Sequence, residues 1–252
     1  MNYLSLFSGA GGGDLAFQHL LGFKCVGYVE YENYCQRVIK QRIEDGLLDA
    51  APIFGDIRAF NCEGYAESYQ GMVDIVSGGF PCQDISCAGK GAGIEGKRSG
   101  LWTEMADTIR TVRPKYAFVE NSPMLTIRGL GRVLGDLAEM GFDARWGVLG
   151  ADLFGYNHRR ARIWILADSE CSMRQNNKGI FGKICLEKLC KRPSSIAFSH
   201  IPYKLREPSD GNFTYRKDDG LATAMDRIKA IGNGQVPICA ATAFKILSGV
   251  VR

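Results

Sequence analysis

The sequence predicts an α/β protein: a mostly parallel, doubly wound sheet with helices on both faces and a small irregular insert late in the chain. Short apolar runs alternate with longer amphipathic stretches through the first two thirds of the 252 residues. The amphipathic stretches stop at Gly or Pro. The regular pattern breaks after Ala167 and returns only near the C-terminus.

The apolar runs YLSLF (3–7), CVGYV (25–29), DIVSG (74–78), YAFVE (116–120), RWGVLGA (145–151) and RIWILA (162–167) read as buried strands. Between them DLAFQHLLGF (14–23), YCQRVIKQRIEDG (34–46), GLWTEMADTIRTVRP (100–114) and LGRVLGDLAEMGF (130–142) carry apolar residues at helical spacing. Pro237 is placed to open a final helix. The simplest organisation is one body formed by residues 1–167 and 222–252, interrupted by an insert over 168–221.

A hydrophobic content of 46% and a charged content of 23% are those of an ordinary globular chain. No apolar run reaches membrane-spanning length, and Met1 leads into NYLSLFSGAGGG without a basic flank, which predicts a cytoplasmic protein with no membrane partner. Nine cysteines without regular spacing predict reduced thiols. Cys171, Cys185, Cys190 and His200 lack a C-x-x-C knuckle, so no metal is expected. The net charge of +4 is unevenly spread. Residues 159–229 hold 15 Lys and Arg against 8 Asp and Glu, a net of +7, leaving 16 against 19 elsewhere. A basic segment beside a mildly acidic body suggests that one part meets a polyanion.

Ligands of open α/β sheets bind beyond the carboxyl ends of the strands, so those ends are read together. The first run ends in FSGAGGGDL (7–15), where Gly9, Gly11 and Gly12 let a ligand approach the backbone. The second ends at Glu30, whose carboxylate can accept both hydroxyls of a ribose. Asp56, at the next strand end, can accept the exocyclic amine of an adenine. These three ends describe an adenosine pocket. The glycine loop has no lysine to hold phosphates, which favours S-adenosylmethionine over a nucleoside triphosphate.

The fourth strand end leads through GGFPCQDIS (78–86) to Cys82, and the fifth delivers Glu120 in VENSP. A thiolate is a strong nucleophile, and a partly desolvated carboxyl can hold a proton near neutral pH. Side by side near a methyl donor, they suit methylation of carbon 5 of cytosine, which is too poor a nucleophile until a thiolate adds at carbon 6 and an acid protonates N3.

These motifs, in this order, resemble the DNA (cytosine-5)-methyltransferase family: FSGAGGG its cofactor loop, GGFPCQDIS its nucleophile motif, ENS its Glu-Asn motif, RRARIWILA its Arg-x-Arg strand and IGNGQVP its closing turn. The closing stretch DDGLATAMDRIKAIGNGQVP resembles compact bacteriophage-borne members. The resemblance implies a Rossmann-like, S-adenosylmethionine-dependent fold and a base-flipping enzyme acting on double-stranded DNA as a monomer. It implies Cys82 as nucleophile and Glu120 as the acid at the base, with Arg160 and Arg162 supporting the base or a nearby phosphate. Phe7, Gly9, Ala10, Gly12, Glu30, Tyr31, Asp56, Ile57, Pro81, Leu101 and Asn233 fall where the family binds S-adenosylmethionine.

DNA contacts are expected from Gln83 beside the nucleophile and from Ser86, Lys90, Lys97 and Arg98 in the segment 86–100, which resembles the family's mobile loop that closes over DNA. Within the insert, Lys183, Lys188, Lys191 and Arg192 are expected mainly on phosphates. Ser122 stands where valine is usual and His158 where glutamine is common; neither removes a reacting group. The insert is short for a target-recognition region, and the motif that usually precedes the closing turn is not evident. A tRNA-methylating branch shares the chemistry, although Pro-Cys-Gln and the phage-like ending favour DNA. Intact Cys82, Glu120 and glycine loop argue against a non-catalytic DNA-binding relative. A cognate restriction endonuclease is left open.

Overall fold

The computed structural model describes residues 1–81, 100–170, 230, 232 and 234–249. Seven strands form one sheet: β1 (Asn2–Leu6), β2 (Lys24–Val29), β3 (Ile53–Phe54), β4 (Ile75–Gly78), β5 (Tyr116–Asn121), β6 (Asp143–Leu149) and β7 (Arg162–Asp168). Their order across the sheet is β3-β2-β1-β4-β5-β7-β6. The pairs β1–β2, β1–β4, β2–β3 and β4–β5 are parallel. Only β7 runs against its neighbours, pairing antiparallel with both β5 and β6.

Helices α1 (Gly12–Leu15), α2 (Asn33–Glu44), α3 (Ile57–Cys62), α4 (Leu101–Val112), α5 (Leu125–Arg128), α6 (Leu130–Glu139) and α7 (Pro237–Leu247) cover the two faces. Side chains alternate across each strand, so the sheet feeds two separate cores. Leu4, Leu6, Val119, Ile163 and Ile165 pack with Phe60, Trp102, Met105, Ile109 and Val133 on the face of α3, α4 and α6. Tyr3, Tyr28, Phe118, Trp164 and Leu166 pack with Phe17, Ile39, Ala240 and Phe244 on the other. In α4 the buried set Trp102, Met105, Ala106, Ile109 and Val112 follows the i, i+3, i+4, i+7 stripe of a one-sided helix. Each large side chain so buried contributes roughly 1.5–3 kcal/mol against exposure.

Several boundaries differ from the sequence reading. The expected helix over 14–23 is a single α turn continued by a π-helical turn at Ala16–Leu20. The sixth strand lies two residues earlier than expected, because Ala151 begins a short 3-10 turn, Ala151–Phe154. The strand before Asp56 is only two residues long, and Asp56 caps α3 by accepting from the Arg58 N–H at 2.9 Å. The expected insert over 168–221 lies outside the described residues except for 168–170. Among the described residues, no helix is long and apolar enough to cross a membrane, and no group of three His, Cys, Asp or Glu side chains is placed to hold a metal.

Candidate active site

At the carboxyl ends of the parallel strands lies a cavity of about 420 Å³. Phe7, Gly9, Glu30, Tyr31, Asp56, Ile57, Pro81, Leu101, Glu120 and Arg162, all expected site residues, line it. Ala10, Gly12 and Arg160 do not. Cys82, Asn233, Gln83, Ser86, Lys90, Lys97, Arg98, Lys183, Lys188, Lys191 and Arg192 lie outside the described residues.

One wall is the turn between β1 and α1. Phe7 takes a left-handed backbone conformation, φ 51°, and Gly11 caps α1 at φ 80°. Gly9 N–H donates to Glu30 Oε2 at 2.6 Å, and Glu32 N–H donates to Oε1 at 2.8 Å. The carboxylate at the end of β2 therefore ties the glycine turn to the start of α2 while still facing the cavity. Tyr31 stands at the rim with 72% of its surface exposed, an open ring beside the cavity.

The turn is also held from behind. Arg42 of α2 donates to the Ala10 carbonyl. It also faces Asp14, which is 2% exposed and accepts from the Tyr3 hydroxyl at 3.0 Å. Burial pushes the Asp14 carboxyl up to about 6, against hydrogen bonds from Ser5 and Tyr3 and the charge of Arg42.

The opposite wall carries Glu120, 7% exposed at the end of β5. Arg162 Nε lies 2.8 Å from Glu120 Oε1. The antiparallel register makes this meeting possible, since Glu120 pairs with Trp164 and Asn121 with Ile163, bringing the start of β7 to the end of β5. Burial raises the proton affinity of Glu120; Arg162, Arg160 and a hydrogen bond from Gln235 oppose it. Arg160, with φ 32°, instead reaches the carbonyls of Gly232, at 2.7 Å, and Gly234. It pins the closing turn rather than facing the cavity.

The two glycines before Phe80 are explained by crowding. A Cβ on Gly78 would lie 2.8 Å from the Leu6 carbonyl oxygen, and one on Gly79 would lie 2.5 Å from Glu120 Oε2. Asn121, 2% exposed, donates from Nδ2 to the Phe80 carbonyl at 3.1 Å, and Phe80 packs on Trp102 with ring centroids 5.5 Å apart. These contacts aim the chain at Pro81 on the cavity wall. Asn121 carries no assigned role in the sequence reading, although it belongs to the Glu-Asn motif that pointed to Glu120.

A Rossmann-like sheet whose strand ends enclose an acid-lined cavity and a buried carboxyl defines a domain of the methyltransferase class. The model of the C-5 cytosine-specific DNA methylases matches residues 1–190, and the chain belongs to that family. The type II methyltransferase M.HpaII of Haemophilus parainfluenzae is 32% identical over 244 residues, covering 88% of this chain and 65% of the relative. The orphan methyltransferase M.SPRI of Bacillus phage SPR is 27% identical over 175 residues, covering 68% and 38%. The chain spans between 36% and 65% of the length of the first curated relatives it matches. Among solved structures, Spodoptera frugiperda DNMT2 superposes with a TM-score of 0.55 at 18% identity, over 70% of this chain and 52% of that one; this likeness concerns the fold.

Proposed function

We propose that the protein is a DNA cytosine-5 methyltransferase that uses S-adenosylmethionine and acts on a cytosine flipped out of duplex DNA. The observation that carries this reading is the buried Glu120 carboxyl opening into the same cavity as Glu30, Asp56 and Pro81. The residues present fit the methyl donor. Glu30 and Asp56 are acceptors for ribose hydroxyls and an adenine amine, the Gly9 backbone allows close approach, and Tyr31, Ile57, Pro81 and Leu101 provide apolar surface. When bound, S-adenosylmethionine supplies the sulfonium methyl that carbon 5 takes.

The chain's own groups make that carbon reactive. The thiolate of Cys82, which follows Pro81 in sequence, forms a bond to carbon 6 of the base. The electron pair of the C5–C6 double bond shifts toward C4, and Glu120 gives its proton to N3. Burial raises its proton affinity, which favours the protonated form that serves as the acid, and Arg162 orients the carboxyl through Oε1. After carbon 5 is methylated, its proton passes to water, the C–H electron pair re-forms the C5–C6 double bond as the C6–S pair leaves on sulfur, and N3 returns its proton to Glu120, restoring the ring, the acid and the thiolate.

The residues 168–221 are assigned to target recognition, with the basic side chains named above on the DNA backbone. The enzyme is taken to act as a monomer in the cytoplasm of a bacterial or phage-infected cell. Bisulfite sequencing of DNA from cells expressing the wild type beside Cys82→Ser tests the reading. It expects methylcytosine in one sequence context with the wild type only. Unmodified DNA in both samples, with tRNA outcompeting duplex DNA in a purified assay, would replace DNA by RNA as substrate.

A further inference from the structure

Gln235, which neither the sequence motifs nor the proposed chemistry assign a task, sits where the two walls of the site meet. Its side chain hydrogen-bonds to Glu120. A Cβ added to Gly79 would lie 3.3 Å from Gln235 Nε2, and one on Gly13 would collide with Gln235 Oε1. The backbone carbonyl of Gln235 closes on Gly12 in the same way. Glycines on both turns thus leave space that this one residue fills. Gln235 also lines a polar cavity of about 30 Å³ together with Ser5, Asp14, Ser77 and Glu120.

Its Oε1 is buried and has no hydrogen-bond partner among the described residues. A methionine side chain of similar length would fill the same space without a polar atom. A packing role therefore does not account for an amide here. Its donor end does, because the Nε2 hydrogens address a carboxylate that burial would otherwise disfavour.

We propose that Gln235 is a positioning residue that clamps the Glu120 carboxyl against the glycine turn of the cofactor site. The inference rests on the reading of Glu120 as the acid at the base. Gln235 acts together with Arg162, which holds Oε1, so the carboxyl is gripped from the sheet on one side and from the closing turn on the other. Arg160 pins that turn through Gly232 and Gly234 and thereby sets the height of the clamp. Among the described residues, the charged groups around Glu120 are Arg162 from β7, Arg160 from the loop before it, Asp14 in the small cavity, and Glu30, Glu32, Asp56 and Arg58 in the large one.

The test compares wild type, Gln235→Met and Gln235→Glu, each checked for an unchanged melting transition. The carboxyl of Glu120 is followed by carbon-13 NMR titration and assigned by difference against Glu120→Gln. Gln235→Met removes the donor at nearly constant length, so the Glu120 midpoint should rise by about half a unit or more. Gln235→Glu sets a second carboxyl beside it and should raise the midpoint further. Methyl transfer to duplex DNA should fall in kcat by roughly tenfold in Gln235→Met, with KM for S-adenosylmethionine within about threefold of wild type. A midpoint unmoved in both variants overturns the clamp, as does a rise in KM with unchanged kcat. If the wild type itself transfers no methyl group while the midpoint still moves, the clamp stands and the proposed reaction falls.

Discussion

Alanine at position 79 probes the geometry of the catalytic wall with a single methyl group. Its Cβ would lie 2.5 Å from Glu120 Oε2 and 3.3 Å from Gln235 Nε2, whereas ordinary contact begins near 3.4 Å. The carboxylate must retreat by about 0.9 Å to restore contact distance. The backbone has little room to yield instead, since Gly78 already abuts the Leu6 carbonyl. Glu120 cannot retreat freely either, because Oε1 lies 2.8 Å from Arg162 Nε and a shift of that size breaks the contact. Misplacing a catalytic group by about 1 Å costs roughly 100-fold in rate, or about 2.7 kcal/mol of barrier. The strain on the fold should be smaller, about 1–3 kcal/mol. Single-turnover methyl transfer to duplex DNA at saturating S-adenosylmethionine reads the rate, and calorimetry and melting report cofactor binding and folding. A folded Gly79→Ala protein whose rate stays within about threefold of wild type would refute the crowding argument.

Asp14→Asn should flatten the pH dependence of stability. The native carboxyl titrates near 6, above its unfolded value, so the native state binds the extra proton between the two. Its contribution is full below about pH 4 and is lost as pH rises through about 6, a change of about 3 kcal/mol. Urea unfolding on either side of that window measures it, and an identical pH slope in Asp14→Asn would defeat the assignment. Glu30→Ala removes the acceptor of the Gly9 and Glu32 amides and should weaken S-adenosylmethionine binding by about 10- to 100-fold by calorimetry; unchanged affinity would exclude Glu30 from the cofactor site. Neutralising Lys183, Lys188, Lys191 and Arg192 together should reduce the slope of log affinity for DNA against log salt by up to about 3.6, and an unchanged slope would remove them from the phosphate contacts.

The sheet is legible because alternation between apolar runs and amphipathic stretches is a local property, written within windows of ten or so residues. The same holds for Glu30 and Glu120, which stand at the ends of apolar runs. Less legible features depend on contacts between distant parts of the chain. Nothing in IGNGQVP announces that Gln235 meets Glu120, and nothing in RRARIWILA separates the cavity-facing Arg162 from Arg160, which turns to Gly232 and Gly234. Arg42 reads as one polar position of an amphipathic helix until α2 folds beside the glycine turn and brings it to Ala10. The two-residue strand Ile53–Phe54 is too short to carry a period of its own and forms because β2 offers it a ladder.

The reversal of β7 has a consequence for how the proton is kept. Glu120 and Arg162 stand on strands joined by a hydrogen-bonded ladder, with Asn121 opposite Ile163 and Glu120 opposite Trp164, which sets the backbones that carry them beside each other. The sheet thereby fixes where the proposed acid meets its arginine without calling on the turns around the cavity. The amide of Gln235 comes from outside the sheet, so the carboxyl proposed as the acid is held by two independent parts of the fold.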